Sequence, residues 1–291
     1  MKIIPWALGL FLASTFWATA QVSVEVVLDR KQFLLNESLP IKVRITNRSG
    51  QTLLLGHEKD WLTFTIESRD GYIVSALGEV PVTGDQSVDS SMVAYRRVDL
   101  MPYFDLGKPG SYTVVASVKL KQWNQEPILS KAKPFEIARG TKIWEQEFGV
   151  PNGEGGSPEA RKYALQQANY EKQLMLYVRV TDLTEQKVFK VFPAGPLVSF
   201  NRPEARIDRK SNLHLLFQTG ARSFVYEMVA PDGALLLRQG HDYTGTRPVL
   251  RSDEDGQTFV AGGVRHLTAN DIPSPLTPAS TNDVTTPAPK P

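Results

Sequence analysis

Run after run between Val22 and about Ala138 carries apolar residues at every second position, and that period of two constrains the fold more than any other feature. A strand turns successive side chains to opposite faces, so alternation marks a sheet with one face buried. In the first run Val22, Val24, Val26 and Leu28 fall on one side, with Ser23 and Glu25 opposite. Ile41, Val43 and Ile45 point one way in the next, and Lys42, Arg44 and Thr46 the other. Leu62, Phe64 and Ile66 continue the pattern, as do Tyr112, Val114, Ala116, Val118 and Leu120. Turn formers at 47–50, 69–71 and 108–110 separate the runs. Short strands with this turn spacing predict an antiparallel sandwich over 21–138.

Residues 139–158 break the alternation and read as a linker, with a Pro- and Gly-rich stretch from Pro151 to Pro158. A second domain, 159–267, also reads as strands. Leu174–Thr181, Lys187–Phe192, Leu213–Gln218, Phe224–Val229, Ala234–Gln239 and Thr258–Ala261 are expected to pair. Lys162–Gln167 is read as a further strand, although Ser157-Pro158-Glu159 would equally open a helix.

A repeat runs through this domain. Pro203 and Asp208 recur 45 residues on as Pro248 and Asp253, and Pro158-Glu-Ala-Arg161 matches Pro203-Glu-Ala-Arg206 at the same offset. The segment from Glu204 through Tyr243 supplies four strands, with a turn at Pro231-Asp-Gly233. The domain thus resembles β-propeller-blade repeats, whose units run to about 40–50 residues. Roughly two and a half units fit, short of the ~4 a closed ring needs. An open stack of blade-like meanders, a partial ring completed by a partner and an ordinary sheet with chance spacing stay open as alternatives. The fold class is all-β: a sandwich, a second antiparallel domain of blade-like meanders, and a disordered Pro- and Thr-rich tail over 268–291.

Leu39–Gly50 (LPIKVRITNRSG) and Leu106–Val114 (LGKPGSYTV) resemble the second strand and the late corner of bacterial immunoglobulin-like domains. The resemblance covers about 40% of the chain and implies a fold, with no activity attached. At such a corner the tyrosine ring packs on the sandwich edge and its hydroxyl finds a backbone partner, so Tyr112 is expected to be structural.

Residues 1–20 read as a signal peptide: Lys2, an apolar run from Ile3 to Trp17, then Ala18-Thr19-Ala20 as a small-x-small cleavage site. A secreted or periplasmic protein of 271 residues is expected once those twenty are removed from the 291. It would carry 32 basic and 31 acidic groups, since Lys2 is the one charge lost, and so offers no field to recruit nucleic acid. No later apolar run approaches the roughly 20 residues that span a bilayer. With no cysteine there is no disulfide, thiolate metal site or thiol nucleophile.

The chemistry-bearing residues are few. His57, His214, His241 and His266 lack zinc spacing, and neither a Gly-x-Ser-x-Gly elbow nor a phosphate-cradling loop is present. His214 is read as a half-buried sheet residue. His241, Asp242 and Tyr243 form the best polar cluster, placed at a strand end and offered as a binding site. Asp253-Glu-Asp-Gly256 invites calcium through Asp253 and Asp255, but no bidentate acid follows; no other cofactor is indicated. Asn36 and Asn47 open glycosylation sequons and are read as turn residues. Trp61, Trp123 and Trp144, with Tyr103 and Phe104, suit either core cover or a sugar-stacking platform. Together these features point to an exported binding or scaffolding protein of the cell envelope, with a protein or polysaccharide partner. The alternative is a secreted polymer-acting hydrolase using Asp208, Asp253 and Asp255 as acid and base.

Overall fold

The computed structural model describes residues 22–120, 127–151 and 158–273, so the expected signal peptide at 1–20, Trp123 and the chain beyond 273 lie outside the described residues. Ten strands build the first half: β1 (Val22–Leu28), β2 (Gln32–Leu34), β3 (Pro40–Asn47), β4 (Leu53–Leu55), β5 (Leu62–Ser68), β6 (Gln86–Val88), β7 (Val93–Asp99), β8 (Gly110–Val118), β9 (Ile128–Leu129) and β10 (Lys133–Ala138). They form two main sheets, ordered β1-β3-β7 and β2-β10-β8-β5, with β9 on β8 and β4 on β6. Every pairing is antiparallel except β10 on β2, which is parallel.

The inner faces of the two sheets share one core. Val24, Val26, Ile41, Val43 and Ile45 meet Phe33, Leu62, Ile66, Tyr112, Val114, Ala116 and Phe135. All but Phe33 and Phe135 are inward residues of the period-two reading, and each buried large side chain contributes roughly 1.5–3 kcal/mol. Tyr112 is fully buried, stacks on Phe135, and donates its hydroxyl hydrogen to the Lys108 carbonyl 2.5 Å away. Asn47 is equally buried and acts as a turn residue. Its amide donates to the Gln51 and Val88 carbonyls, while its Oδ1 accepts from Ser49.

The second half holds β11 (Thr141–Val150), β12 (Glu159–Tyr170), β13 (Gln173–Asp182), β14 (Val188–Pro196), β15 (Glu204–Ile207), β16 (Leu213–Gln218), β17 (Ser223–Val229), β18 (Leu235–Asp242), β19 (Val249–Ser252), β20 (Thr258–Ala261) and β21 (Val264–His266). Two four-stranded antiparallel meanders follow each other in chain order, β11-β12-β13-β14 and β15-β16-β17-β18, with β21 added to the second. A β19–β20 hairpin comes next, so the half is propeller-like in its succession of small sheets.

Packing runs from sheet to sheet. Tyr163, Leu165, Leu176 and Val178 of the first meander bury against Leu213, Leu215, Phe217 and Val229 of the second. The opposite face of the second meander takes the hairpin, through Leu216, Phe224, Tyr226 and Leu250. The first meander's other face meets the first half, where Tyr177, Val191 and Ala168 contact Leu34. Strand β16 lies between covered faces, and all six of its residues are buried.

Three expectations need correction. The linker does not extend over Thr141–Val150, which is a ten-residue strand paired along β12; exposure on both faces hides its periodicity. Folding also continues past Leu267: Ile272 pairs with Arg238 of β18, and Asp271 is buried against Arg265 and Thr268. His241 and Asp242 lie within β18 and not beyond a strand end. The ambiguous segment near 162 is strand, as read.

Candidate functional site

Two turns related by the 45-residue repeat face one cleft of about 500 Å³. In the first, Asp208 N–H donates to the Asn212 carbonyl (3.0 Å), and Ser211 N–H donates back to the Asp208 carbonyl (3.0 Å). In the second, Asp253 and Gln257 repeat the outer bond at 3.0 Å, and Gly256 N–H returns to Asp253 at 3.1 Å. Both turns require a left-handed residue at the same position, Ser211 (φ 64°) and Gly256 (φ 77°). Such backbone is easy for glycine and costs other residues energy. Each aspartate also caps its own turn: Asp208 Oδ1 accepts from Lys210 and Asn212 N–H, and Asp253 Oδ1 accepts from Gln257 N–H.

The first turn carries more. Asp208 Oδ2 accepts from Asn212 Nδ2 at 3.0 Å and lies 3.1 Å from His214 Nε2. His214 Nδ1 in turn lies 2.7 Å from the Tyr226 hydroxyl. Register explains the meeting: β16 and β17 place His214 and Tyr226 on the same face, diagonal to each other, with their rings 6.0 Å apart. Burial is the strongest influence on Asp208 and works to raise its pKa. Donors from Asn212, His214 and the backbone outweigh it, so the carboxyl is held below its ordinary value. An ionised carboxylate can only accept, so His214 donates to it through Nε2. Nδ1 meets the Tyr226 hydroxyl, which keeps its own proton. Burial, aided by the Asp208 charge, pushes the Tyr226 pKa up to about 12 and keeps that proton in place. The Tyr226 oxygen is thereby held at a fixed position in the cleft lining.

His214 is 4% exposed, so the half-buried reading is corrected: the hairpin and its turn cover the face that alternation leaves open. On the opposite face of the same sheet Glu227 is fully buried among Leu213, Leu215 and Val229, beside Arg238 Nη1 at 3.0 Å. Neither carboxyl oxygen has a hydrogen-bond partner, and burial pushes the pKa up to about 8 against the opposing Arg238 charge.

The residues expected to bind do not converge. His241 is buried edge-on to Tyr226, while Asp242 turns away to His266 Nδ1 at 2.7 Å. Burial, then Arg265, push the His241 pKa down. Tyr243 is exposed, and its N–H donates to the Arg222 carbonyl at 2.8 Å. Asp255 lines the cleft; Asp253 caps the turn behind it. Among the described residues no three His, Asp or Glu side chains gather as a metal cage. The aromatic platform is not assembled either. Trp61 is core, donating Nε1–H to the Val82 carbonyl at 3.2 Å, and Trp144 packs in the second half. A second cleft, of about 470 Å³, lies between the halves near Asp99 and Phe189. There Asp99 is spent on Ser38, Leu39 and Met101 of its own wall.

Sequence reasoning names Asp208 and His214 separately and misses Tyr226 and Asn212. The available signal is the repeat itself, since Asp and a polar residue four later recur in both turns. Glu227 is missed as well, although it stands between Val225 and Val229 on a strand's apolar side.

The sequence matches no known protein family and no curated protein. A crystal structure of Spo0M, the sporulation control protein of Bacillus subtilis, aligns over 56% of this chain and 80% of that one. Identity is 9% and the TM-score 0.29, a likeness on which nothing further is built. Among the described residues no helix is long and apolar enough to cross a membrane.

Proposed function

We propose that this is an exported envelope protein that binds a polysaccharide partner in the cleft between the β15–β18 sheet and the β19–β20 hairpin. One observation carries the reading: the Asp208–His214–Tyr226 chain spends its carboxylate internally and holds the Tyr226 oxygen at a fixed place in the cleft lining. A hydrogen-bonding atom fixed in a cleft suits a ligand rich in hydroxyls, which both donate and accept, and sugars bring them. The leader at residues 1–20 supports export. The paired sheets of the first half, with Tyr112 bonded to the backbone four residues upstream, support an immunoglobulin-like module that presents the second half.

The hydrolase alternative is weaker on chemical grounds. It needs one carboxyl able to give a proton and another to activate water. Four donors hold Asp208 ionised, Asp253 is a turn cap outside the cleft lining, and Asp255 is left alone. The test is a glycan array probed with the full mature chain, followed by NMR titration of the best ligand. Binding that shifts Tyr226 and Asn212 resonances is expected, with no new reducing ends after prolonged incubation. Release of reducing ends that is lost in Asp208→Asn would turn the assignment to hydrolysis.

A further inference from the structure

We infer that the sugar taken by this cleft is acidic, its carboxylate held by Arg209 and Lys210 while its hydroxyls meet Tyr226 and Asn212. The inference rests on the glycan-binding reading above and adds the ligand's charge.

Asp208, the acid between the two basic residues and the sheet, already accepts four hydrogen bonds. Arg209 and Lys210 follow it directly and line the cleft, and neither side chain has an ion pair or hydrogen bond among the described residues. Surface cations with nothing opposite are ordinary, but Arg209 is placed. Its guanidinium lies across the cleft against the second turn, so close that a Cβ at Gly256 would sit 3.0 Å from Nε. The positive φ of Gly256 favours glycine there, and the missing side chain leaves room for the guanidinium. Arg209 is exposed and presents its planar fork at the cleft rim, which suits a carboxylate, and Lys210 adds a point charge beside it. Asp255 stands on the same rim and repels an anion from that side, which sets the ligand's carboxylate toward the first turn.

The experiment uses the full mature chain and three probes: oligogalacturonate, its methyl ester, and citrate. Calorimetry in low salt is expected to show oligogalacturonate binding at least about tenfold tighter than the ester, a ratio worth ~1.4 kcal/mol. Arg209→Gln should erase that ratio at unchanged melting temperature. Tyr226→Phe should weaken acid and ester equally, because it removes a hydroxyl contact and no charge. Equal binding of acid and ester overturns the inference and leaves the glycan reading standing. Citrate binding as tight as oligogalacturonate also overturns it, since the site would then read charge without sugar. Binding of none of the three overturns the inference, and an empty glycan array beside it overturns the reading as well.

Discussion

Asp208 and Glu227 serve opposite faces of one sheet and are held in opposite states. Asp208 meets four donors and stays ionised below its ordinary pKa, whereas Glu227 has the Arg238 charge 3.0 Å away but no hydrogen bond and is pushed up to about 8. Burial is the largest influence on both, so what separates them is the supply of hydrogen-bond donors. A partnered acid can organise a site because its charge fixes the protons around it. An orphaned acid beside one arginine stores a dependence on pH.

The largest expected effect falls on Glu227. Its folded pKa lies above the unfolded value of 4.5, so its contribution is whole below pH 4.5 and is lost as pH rises through about 8. The loss is of order 4 kcal/mol. Urea denaturation at pH 5 and pH 8.5 should therefore show Glu227→Gln gaining on the parent at the higher pH. A constant difference between the two proteins would mean the carboxylate is ionised and paired throughout. Asp208→Ala comes next, at about 2–4 kcal/mol, since it uncaps a turn and strands the Nε2 proton of buried His214. Because the Asp208 pKa is lowered, the parent's advantage over this variant should be full at neutral pH and shrink on acidification below 3.8.

Tyr226→Phe removes one hydroxyl and leaves Nδ1 of His214 without its partner, at about 1–2 kcal/mol by thermal or chemical denaturation. A protein as stable as the parent would show that water replaces the phenol and that the chain is not closed. The smallest effect belongs to Asp253→Ala, about 0.5–1 kcal/mol, which removes a turn cap and nothing behind it. The two aspartates thus separate a shared local device from the site built on only one of them. The position 45 residues after His214 is Phe259, half exposed, and nothing there extends the second turn.

The same distinction explains what could be read in advance. Leu213–Gln218 and Thr258–Ala261 are found with their ends as expected, because turn residues bound short apolar runs on both sides. Both aspartate turns are legible through the repeat. Strand β11 is not, since its half-buried residues are Trp144, Phe148 and Val150, with polar Gln146 breaking the row on the same face. The site itself depends on which strands become neighbours. His214 and Tyr226 are twelve residues apart, and only pairing of β16 with β17 brings ring to hydroxyl. Alternation likewise says that His214 faces away from Leu213 and Leu215, but not that a later hairpin covers it.

The junction between the halves has a consequence for anyone wishing to cut the molecule. Arg179, 8% exposed, reaches out of β13 to the Leu35 carbonyl and Asn36 Oδ1 (3.2 Å each), and Gln32 answers with a bond to the Asn169 carbonyl at 2.7 Å. A fragment beginning at residue 139 would leave that guanidinium without its acceptors and uncover Tyr177 and Val191, which Leu34 now shields. The amino-terminal module is thus a lid permanently fastened to its neighbour's outer wall, and the isolated carboxy-terminal piece would have to find a substitute, most readily another copy of itself.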